Sequence, residues 1–221
     1  MALADYNHHD NKFKSYDIKF HEHQIKTTVT ADPNIVDQWI SETYEIHKKQ
    51  LDQNKILVGL DTEWRFIKPN NITYLSKCSK PKPDQFQVAI LQLCTHQNRC
   101  LIFQLIQAPE IPSSLANFLG DQNSTFAGVG IKQDKEKLLR DWRLSVDKTL
   151  DVASSAAEKF GVREYKGKGL KELAYKILGK NMEKPKKVTL SEWDVEELSD
   201  FQVEYACIDA FVSFLLGLEV L

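Results

Sequence analysis

A continuous apolar run, Ile56-Leu-Val-Gly-Leu60, leads without a break into Asp61-Thr-Glu63-Trp64. No other feature of the 221-residue chain restricts its fold as much. A short run with no polar alternation reads as a strand buried on both faces, so the sheet that holds it needs a layer of structure on each side. Side chains alternate along a strand, which puts Asp61 and Glu63 on one face, about 6.6 Å apart along the chain. Two acids so placed at the end of a buried strand repel each other unless a cation sits between them. The ordinary alternative is that the strand ends at Leu60 and both acids are solvated.

The rest of the chain supplies the layers. Tyr16–Phe20 and Gln24–Thr30 read as strands joined by the polar turn His21-Glu-His23. Asp32-Pro33 opens a helix, with a capping carboxylate before proline at the first helical position. Val36, Trp39, Ile40 and Tyr44 carry it at helical spacing to about Gln50. Arg65–Asp84 reads as a long Lys- and Pro-containing loop. Strands over Phe86–Cys94 and Arg99–Gln104 follow, then a helix near Ser114–Leu119, a strand Thr125–Gly128 and a helix over Gln133–Trp142. Helices around Ala153–Phe160, Leu170–Leu178 and from Ser199 onward complete the order, which predicts one α/β domain over residues 16–221 with a mixed sheet. The polar segment 1–15 is expected to be mobile.

Two further places carry acids. In Phe126-Ala-Gly-Val-Gly-Ile-Lys-Gln-Asp134, the third glycine of a dinucleotide loop is missing, which excludes a nucleotide-binding oxidoreductase. Asp134, Leu138 and Trp142 lie four apart, so Asp134 takes a slot on the apolar face of its helix, unless it is simply an acid favoured at a helix N-terminus. In the last helix Phe201, Tyr205, Ile208, Val212 and Leu215 form an apolar stripe. Asp209 lies one residue off it, and Tyr205, four residues earlier, shares a face with Asp209.

Taken together, acid-x-acid on a strand, an acid at a helix start and Tyr-x3-Asp on a later helix resemble the DEDDy class of 3′–5′ exonucleases, in particular the Werner-syndrome-type exonuclease domain. Val58-Gly-Leu-Asp-Thr-Glu-Trp64, Leu91-Gln-Leu-Cys94, Gly128-Val-Gly-Ile131 with Lys137-Leu-Leu-Arg-Asp-Trp142, Leu178-Gly-Lys180 and Trp193 carry the likeness from Ile56 to Leu221. It departs at Ile208 and Phe211, where a polar or tyrosine residue is more usual in the family. The resemblance implies a ribonuclease-H-like fold, a mixed five-stranded sheet flanked by helices, here with an N-terminal strand pair and helix. It implies Asp61, Glu63 and Asp209 as metal ligands, Asp134 completing the site partly through water, and Tyr205 orienting the attacking water. The cofactors would be two divalent cations, Mg²⁺ or Mn²⁺. The product would be 5′-mononucleotides released from the 3′ end of single-stranded RNA or DNA. The N-terminal strand pair and helix resemble a small plant Werner-like branch, which implies a homo-oligomer in the form of a hexameric ring and association with a small-RNA silencing complex. A catalytically silent nucleic-acid-binding or scaffold subunit retaining the fold is the alternative.

The chemistry fits the residue types. Mg²⁺ and Mn²⁺ prefer oxygen ligands, which carboxylates provide. His21 and His23 lie in a polar turn without a third ligand and read as solvated. A net charge of −2 means that a polyanion must be met by local basic residues. The lysines that bracket the acids are candidates for backbone contact: Lys68, Lys77, Lys80 and Lys82, then Lys166, Lys168 and Lys171, then Lys184, Lys186 and Lys187. Trp64, beside Glu63, is a candidate for substrate stacking, although strand alternation turns it to the other face and toward core packing. Cys78, Cys94, Cys100 and Cys207 have no CxxC spacing and, with no secretory signal at the start, are expected to be reduced thiols in the cytoplasm or nucleus. No apolar run approaches the length of a membrane span.

Overall fold

In a computed structural model, residues 13–50, 55–67 and 85–221 are described. β1 (Phe13–Phe20) and β2 (His23–Thr30) form a hairpin, and α1 (Pro33–Gln50) follows. β3 (Ile56–Phe66), β4 (Phe86–Thr95), β5 (Arg99–Phe103), α2 (Ser113–Leu119), β6 (Ser124–Gly128), α3 (Ile131–Trp142) and a short β7 (Thr149–Asp151) come next. The chain ends with α4 (Val152–Phe160), α5 (Leu170–Leu178), the single turn α6 (Lys186–Thr189) and α7 (Asp200–Val220).

The strands form one mixed sheet in the order β1-β2-β5-β4-β3-β6-β7. Its inner part, β5-β4-β3-β6-β7, is the expected five-stranded sheet. The N-terminal strand pair is not separate from it, because β2 pairs in parallel with β5 from Lys26↔Arg99 to Thr30↔Phe103. The strand limits differ most from the sequence reading at β1 and β3, and the short β7 falls where the sequence was read as no element. β1 starts at Phe13, inside the segment expected to be mobile, whose residues 1–12 lie outside the described ones. β3 continues past Leu60 to Phe66, which removes the alternative in which both acids follow the strand. The rest of the expected loop, residues 68–84, lies outside the described residues.

Each face of the sheet carries a core. Ile56, Val58 and Leu60 pack with α1, α2 and α3 through Val36, Trp39, Phe118, Ile131 and Leu138. On the opposite face, Leu57 packs with α4, α5 and α7 through Val152, Leu173, Ala206, Phe211 and Phe214. The odd-numbered residues of β3 therefore look toward α7, and Asp61 and Glu63 are among them.

α7 lies directly on β3 because the strand has no side chain at the contact. A Cβ at Gly59 would come within 2.0 Å of the Ala210 carbonyl oxygen and 2.5 Å of the Phe214 amide nitrogen. One at Gly217 would meet the Ala127 Cβ at 2.8 Å. The helix is apolar nearly all round, as suits a central position. For that reason the five-residue stripe matches the buried face only in part, at Tyr205 and Val212. Phe201, counted into the stripe, is 73% exposed, and burial extends to Val203, Ala206, Cys207, Ala210 and Phe211 outside it. Cys94, Cys100 and Cys207 are buried free thiols. Among the described residues, no helix is long and apolar enough to cross a membrane.

Adding a methyl group at Gly59 forces two backbones apart, where overpacking costs typically about 1–3 kcal/mol or more. Gly59→Ala should therefore lower the melting temperature by roughly 5–10 °C, at about 2–4 °C per kcal/mol for a domain of this size. A melt of Gly59→Ala that superimposes on the wild type would show that α7 is not seated on this glycine.

Candidate active site

Three elements deliver the acids. β3 carries Asp61 and Glu63 on the face that meets α7. A bulge between Glu63 and Trp64 then shifts the register against β4, so that Glu63 opposes Ile90 while Trp64 opposes Val88. α7 brings Asp209, and its start is fixed by a capping box in which the Ser199 hydroxyl accepts from the Gln202 amide and the Gln202 side chain accepts from the Ser199 amide. The Gln202 side chain also donates to the Glu192 carbonyl oxygen at 2.9 Å, which ties the helix start to the incoming chain. α3 brings Asp134. Its N-cap is Gly130, at φ 72°, a left-handed position suited to glycine, and the Gly130 amide donates to Asp151 at 2.8 Å.

One oxygen from each of Asp61, Glu63 and Asp209 lies within 4.8 Å of the others. Glu63 and Asp209 are buried and Asp61 is partly exposed. Asp134 stands one step back, with its carboxylate accepting a 2.6 Å hydrogen bond from the Thr62 hydroxyl. Tyr205 is buried on the same side, and its ring rests against Trp193, centroid to centroid 6.0 Å.

At 4.8 Å and an effective dielectric of about 20, each pair of unit charges repels by about 3.5 kcal/mol, so three bare carboxylates cannot all stay ionised here without a cation. The titration of the site reflects this. Burial, with Asp209 and Asp134 adding repulsion, holds Asp61 well above the usual carboxylate range. Burial and the charges of Asp61 and Asp209 push Glu63 up to about 9. Burial raises Asp134 too, offset in part by the Thr62 hydroxyl and Lys137. Burial raises Asp209 despite the opposing pull of Lys184. Tyr205 is raised by burial and by the carboxylates around it, so its hydroxyl stays protonated at neutral pH.

A site of hard oxygen donors, with the buried Asp209 Oδ1 lacking a hydrogen-bond partner, fits a divalent cation such as Mg²⁺ or Mn²⁺. Asp61, Glu63 and Asp209 would hold it, and Asp134 lies where it can act through water.

Other candidates fall elsewhere. Trp64 turns to the opposite strand face, as alternation requires, but it is not a core residue. The strand has by then run past the edge of the core, and Trp64 is 38% exposed with the Lys137 ammonium 3.8 Å above its ring. Lys166 is exposed on the turn before α5, and Lys168 pairs with Glu172 at 3.0 Å. Lys80 and Lys82, with Lys68 and Lys77, lie outside the described residues. In the β1–β2 turn, His21 hydrogen-bonds the Asn181 carbonyl oxygen and His23 packs edge-on against Phe211. The sequence reading missed the roles of Thr62, Lys137 and Lys184. Lys184 appeared only as one of a basic run, yet its ammonium is 2.5 Å from Asp209 Oδ2. Spacing carries no signal for which lysine of that run turns inward.

A pair of acids within a central strand thus faces an acid and a tyrosine from a long helix. The chain belongs to the 3′–5′ exonuclease family, whose model matches residues 35–218. It is similar to the bifunctional 3′–5′ exonuclease/ATP-dependent helicase WRN of Mus musculus, with 30% identity over 161 residues, 72% of this chain and 10% of that protein. It is also similar to a 3′–5′ exonuclease of Arabidopsis thaliana, with 30% identity over 182 residues, 82% of this chain and 58% of that one. The chain thus spans a small part of the first relative and somewhat more than half of the second. Among solved structures, Brucella melitensis NrnC shares the fold, with a TM-score of 0.59 at 20% identity over 77% of this chain and 74% of that one.

The raised carboxylates set a pH dependence. Folded Glu63 holds its proton up to about 9, whereas in the unfolded chain it loses it near 4.5. Between those values the folded protein binds more protons than the unfolded one, so the stability of the metal-free protein falls as pH rises. In EDTA the melting temperature should decline from about pH 5.5 to about pH 9, and Glu63→Gln, which has no proton to lose, should flatten that decline. A wild-type melting temperature that is level or rising across this interval would mean that the carboxylates are solvated and ionised.

Proposed function

We propose that this protein hydrolyses the terminal phosphodiester bond at the 3′ end of single-stranded nucleic acid, releasing 5′-mononucleotides with the help of two divalent cations, Mg²⁺ or Mn²⁺. The observation that carries this reading is the convergence of Asp61, Glu63 and Asp209 within 4.8 Å, with Asp134 and Tyr205 beside them. Cations bound there would neutralise the charge that develops on the phosphoryl and leaving oxygens and make water a better nucleophile. The chain's own residues do the positioning. Asp61 and Glu63 are fixed by the strand and Asp209 by the capped helix, so the acidic face presented to a phosphate is rigid. Tyr205 keeps its proton and cannot serve as a base. It donates a hydrogen bond that orients the attacking water. Water adds to phosphorus, the bond to the 3′ oxygen of the preceding nucleotide breaks, and that oxygen leaves as a hydroxyl. Trp64 and Lys137, a ring and a cation just past Glu63, offer a stacking surface and a phosphate contact where the chain of the substrate would leave the site.

Digestion of 3′- and 5′-labelled RNA and DNA tests the proposal. Stepwise loss of nucleotides from the 3′ end is expected with Mg²⁺ or Mn²⁺, with none in EDTA and a fall of at least about 10³-fold for Asp61→Ala. Undiminished activity in EDTA or in Asp61→Ala would defeat the metal mechanism, and absence of activity in every arm would favour the silent-scaffold alternative. Tyr205→Phe removes only the orienting hydroxyl and should lower kcat by about 10–100-fold with KM little changed. A variant with wild-type kcat would make Tyr205 a packing residue for Trp193.

A further inference from the structure

The carboxylate cluster already contains a cation, supplied by the chain. The Lys184 ammonium lies 2.5 Å from Asp209 Oδ2 and 3.4 Å from the Tyr205 hydroxyl, and 5.3 Å from the centre of the Tyr205 ring. Asp61 and Glu63 also act on it electrostatically. Lys184 therefore sits where the three acids of the site converge, rather than on the surface with Lys186 and Lys187.

Its backbone is directed there by its neighbours. α5 ends at Gly179 in a left-handed C-cap, with the Lys180 amide bonded to the Ala174 carbonyl oxygen. Met182 is buried and anchors the chain two residues before Lys184. Pro185 follows, and a residue before proline is held extended, so Lys184 cannot join the turn of α6. Lys180 pairs with Glu22, and His21 bonds the Asn181 carbonyl oxygen, which fixes the segment to the β1–β2 turn. The backbone is held in place while the lysine side chain, 29% exposed, keeps a way out to solvent.

We propose that Lys184 is a tethered counter-ion of the carboxylate site, which neutralises Asp209 when no metal is bound and is expelled when a divalent cation enters. The inference rests on the metal reading given under Proposed function. A divalent cation taking the unpaired Asp209 Oδ1 would stand within a few ångströms of the ammonium on Oδ2, and in this buried site the two positive charges would repel strongly. Metal binding must therefore break the Lys184–Asp209 pair, and the affinity of the site is lowered by whatever that pair is worth. The four-carbon stem lets the charge swing out without moving the backbone. Lys184 is thus a positioning residue that sets how much cation is needed to fill the site.

The test is Mn²⁺ binding to the full chain, measured by titration calorimetry without substrate. Lys184→Met keeps the length of the stem and removes the charge, so it should bind Mn²⁺ at least about tenfold more tightly than wild type. Lys184→Arg keeps the charge and should stay near the wild-type affinity. Lys186→Met, on the exposed side of the same segment, should change nothing. A second measurement needs no variant: acetylation of wild-type lysines by an amine-reactive ester, read by mass spectrometry. Lys184 should become several-fold more reactive on adding Mn²⁺, while Lys186 should not. Equal or weaker Mn²⁺ binding by Lys184→Met, or Lys184 labelling that Mn²⁺ leaves unchanged, would overturn the inference and leave the metal site standing. If wild type, Lys184→Met and Lys184→Arg all fail to bind Mn²⁺, the metal reading itself falls and the inference with it.

Discussion

The backbone of α7 rests on the backbone of β3 at Gly59, and the carboxylate cluster depends on that approach. Any side chain there would collide with the Ala210 carbonyl oxygen and hold the helix away from the sheet. The same contact sets where Asp209 stands, because Ala210 is its immediate neighbour. Asp61 is two residues beyond Gly59 on the same face of the strand, so a helix that touches the strand at Gly59 also delivers an acid to Asp61. Gly217, against Leu57 and Ala127, repeats the contact two turns on and aligns the helix along the strand. Two missing side chains thus bring charges together from residues 148 positions apart in the chain.

Once assembled, the centre is electrostatically unfavourable without a partner. Burial and mutual repulsion raise Asp61 and Glu63, and burial raises Asp209. The Lys184 ammonium, brought to Asp209, offsets part of this. The arrangement fits a site prepared for a cation, at some cost in the stability of the metal-free protein. Asp134, held off the cluster by Thr62, adds negative potential without adding a fourth crowded oxygen.

The segment between α5 and α7 connects these features. Arg65 on β3 pairs with Asp194, and the Gln104 side chain donates to the carbonyl oxygens of Val195 and Glu196. These bonds fasten the chain over the sheet next to the site. Trp193 is pressed beneath Tyr205, which keeps the tyrosine hydroxyl on the acidic side. Lys184, earlier in the same segment, reaches the site from a backbone fastened at Met182 and restricted by Pro185. One irregular stretch therefore packs against Tyr205 and carries the internal cation.

Much of this was legible in the residues themselves. The apolar run into Asp61 and Glu63 determined a central strand with two acids on one face, since alternation along a strand is local geometry. Helical spacing placed Asp134 on an inward slot and Tyr205 with Asp209 on one side of the last helix, and the resemblance of these motifs carried the family. What depended on distant packing was not legible. The stripe caught Tyr205 and Val212 of the buried face of α7 but took in the exposed Phe201, because a helix apolar all round has no unique stripe. Trp64 was placed on the right face but at the wrong depth, because depth depends on where the core ends. The union of the N-terminal hairpin with the main sheet came from the pairing of β2 with β5, a contact between segments some 70 residues apart. The sequence by itself thus determined which acids exist and which way each points on its own element. Only the tertiary structure decided their separation, the setting back of Asp134 on Thr62 and the choice of Lys184 among the lysines. Distances and counter-ions arise between elements, and no local period encodes them.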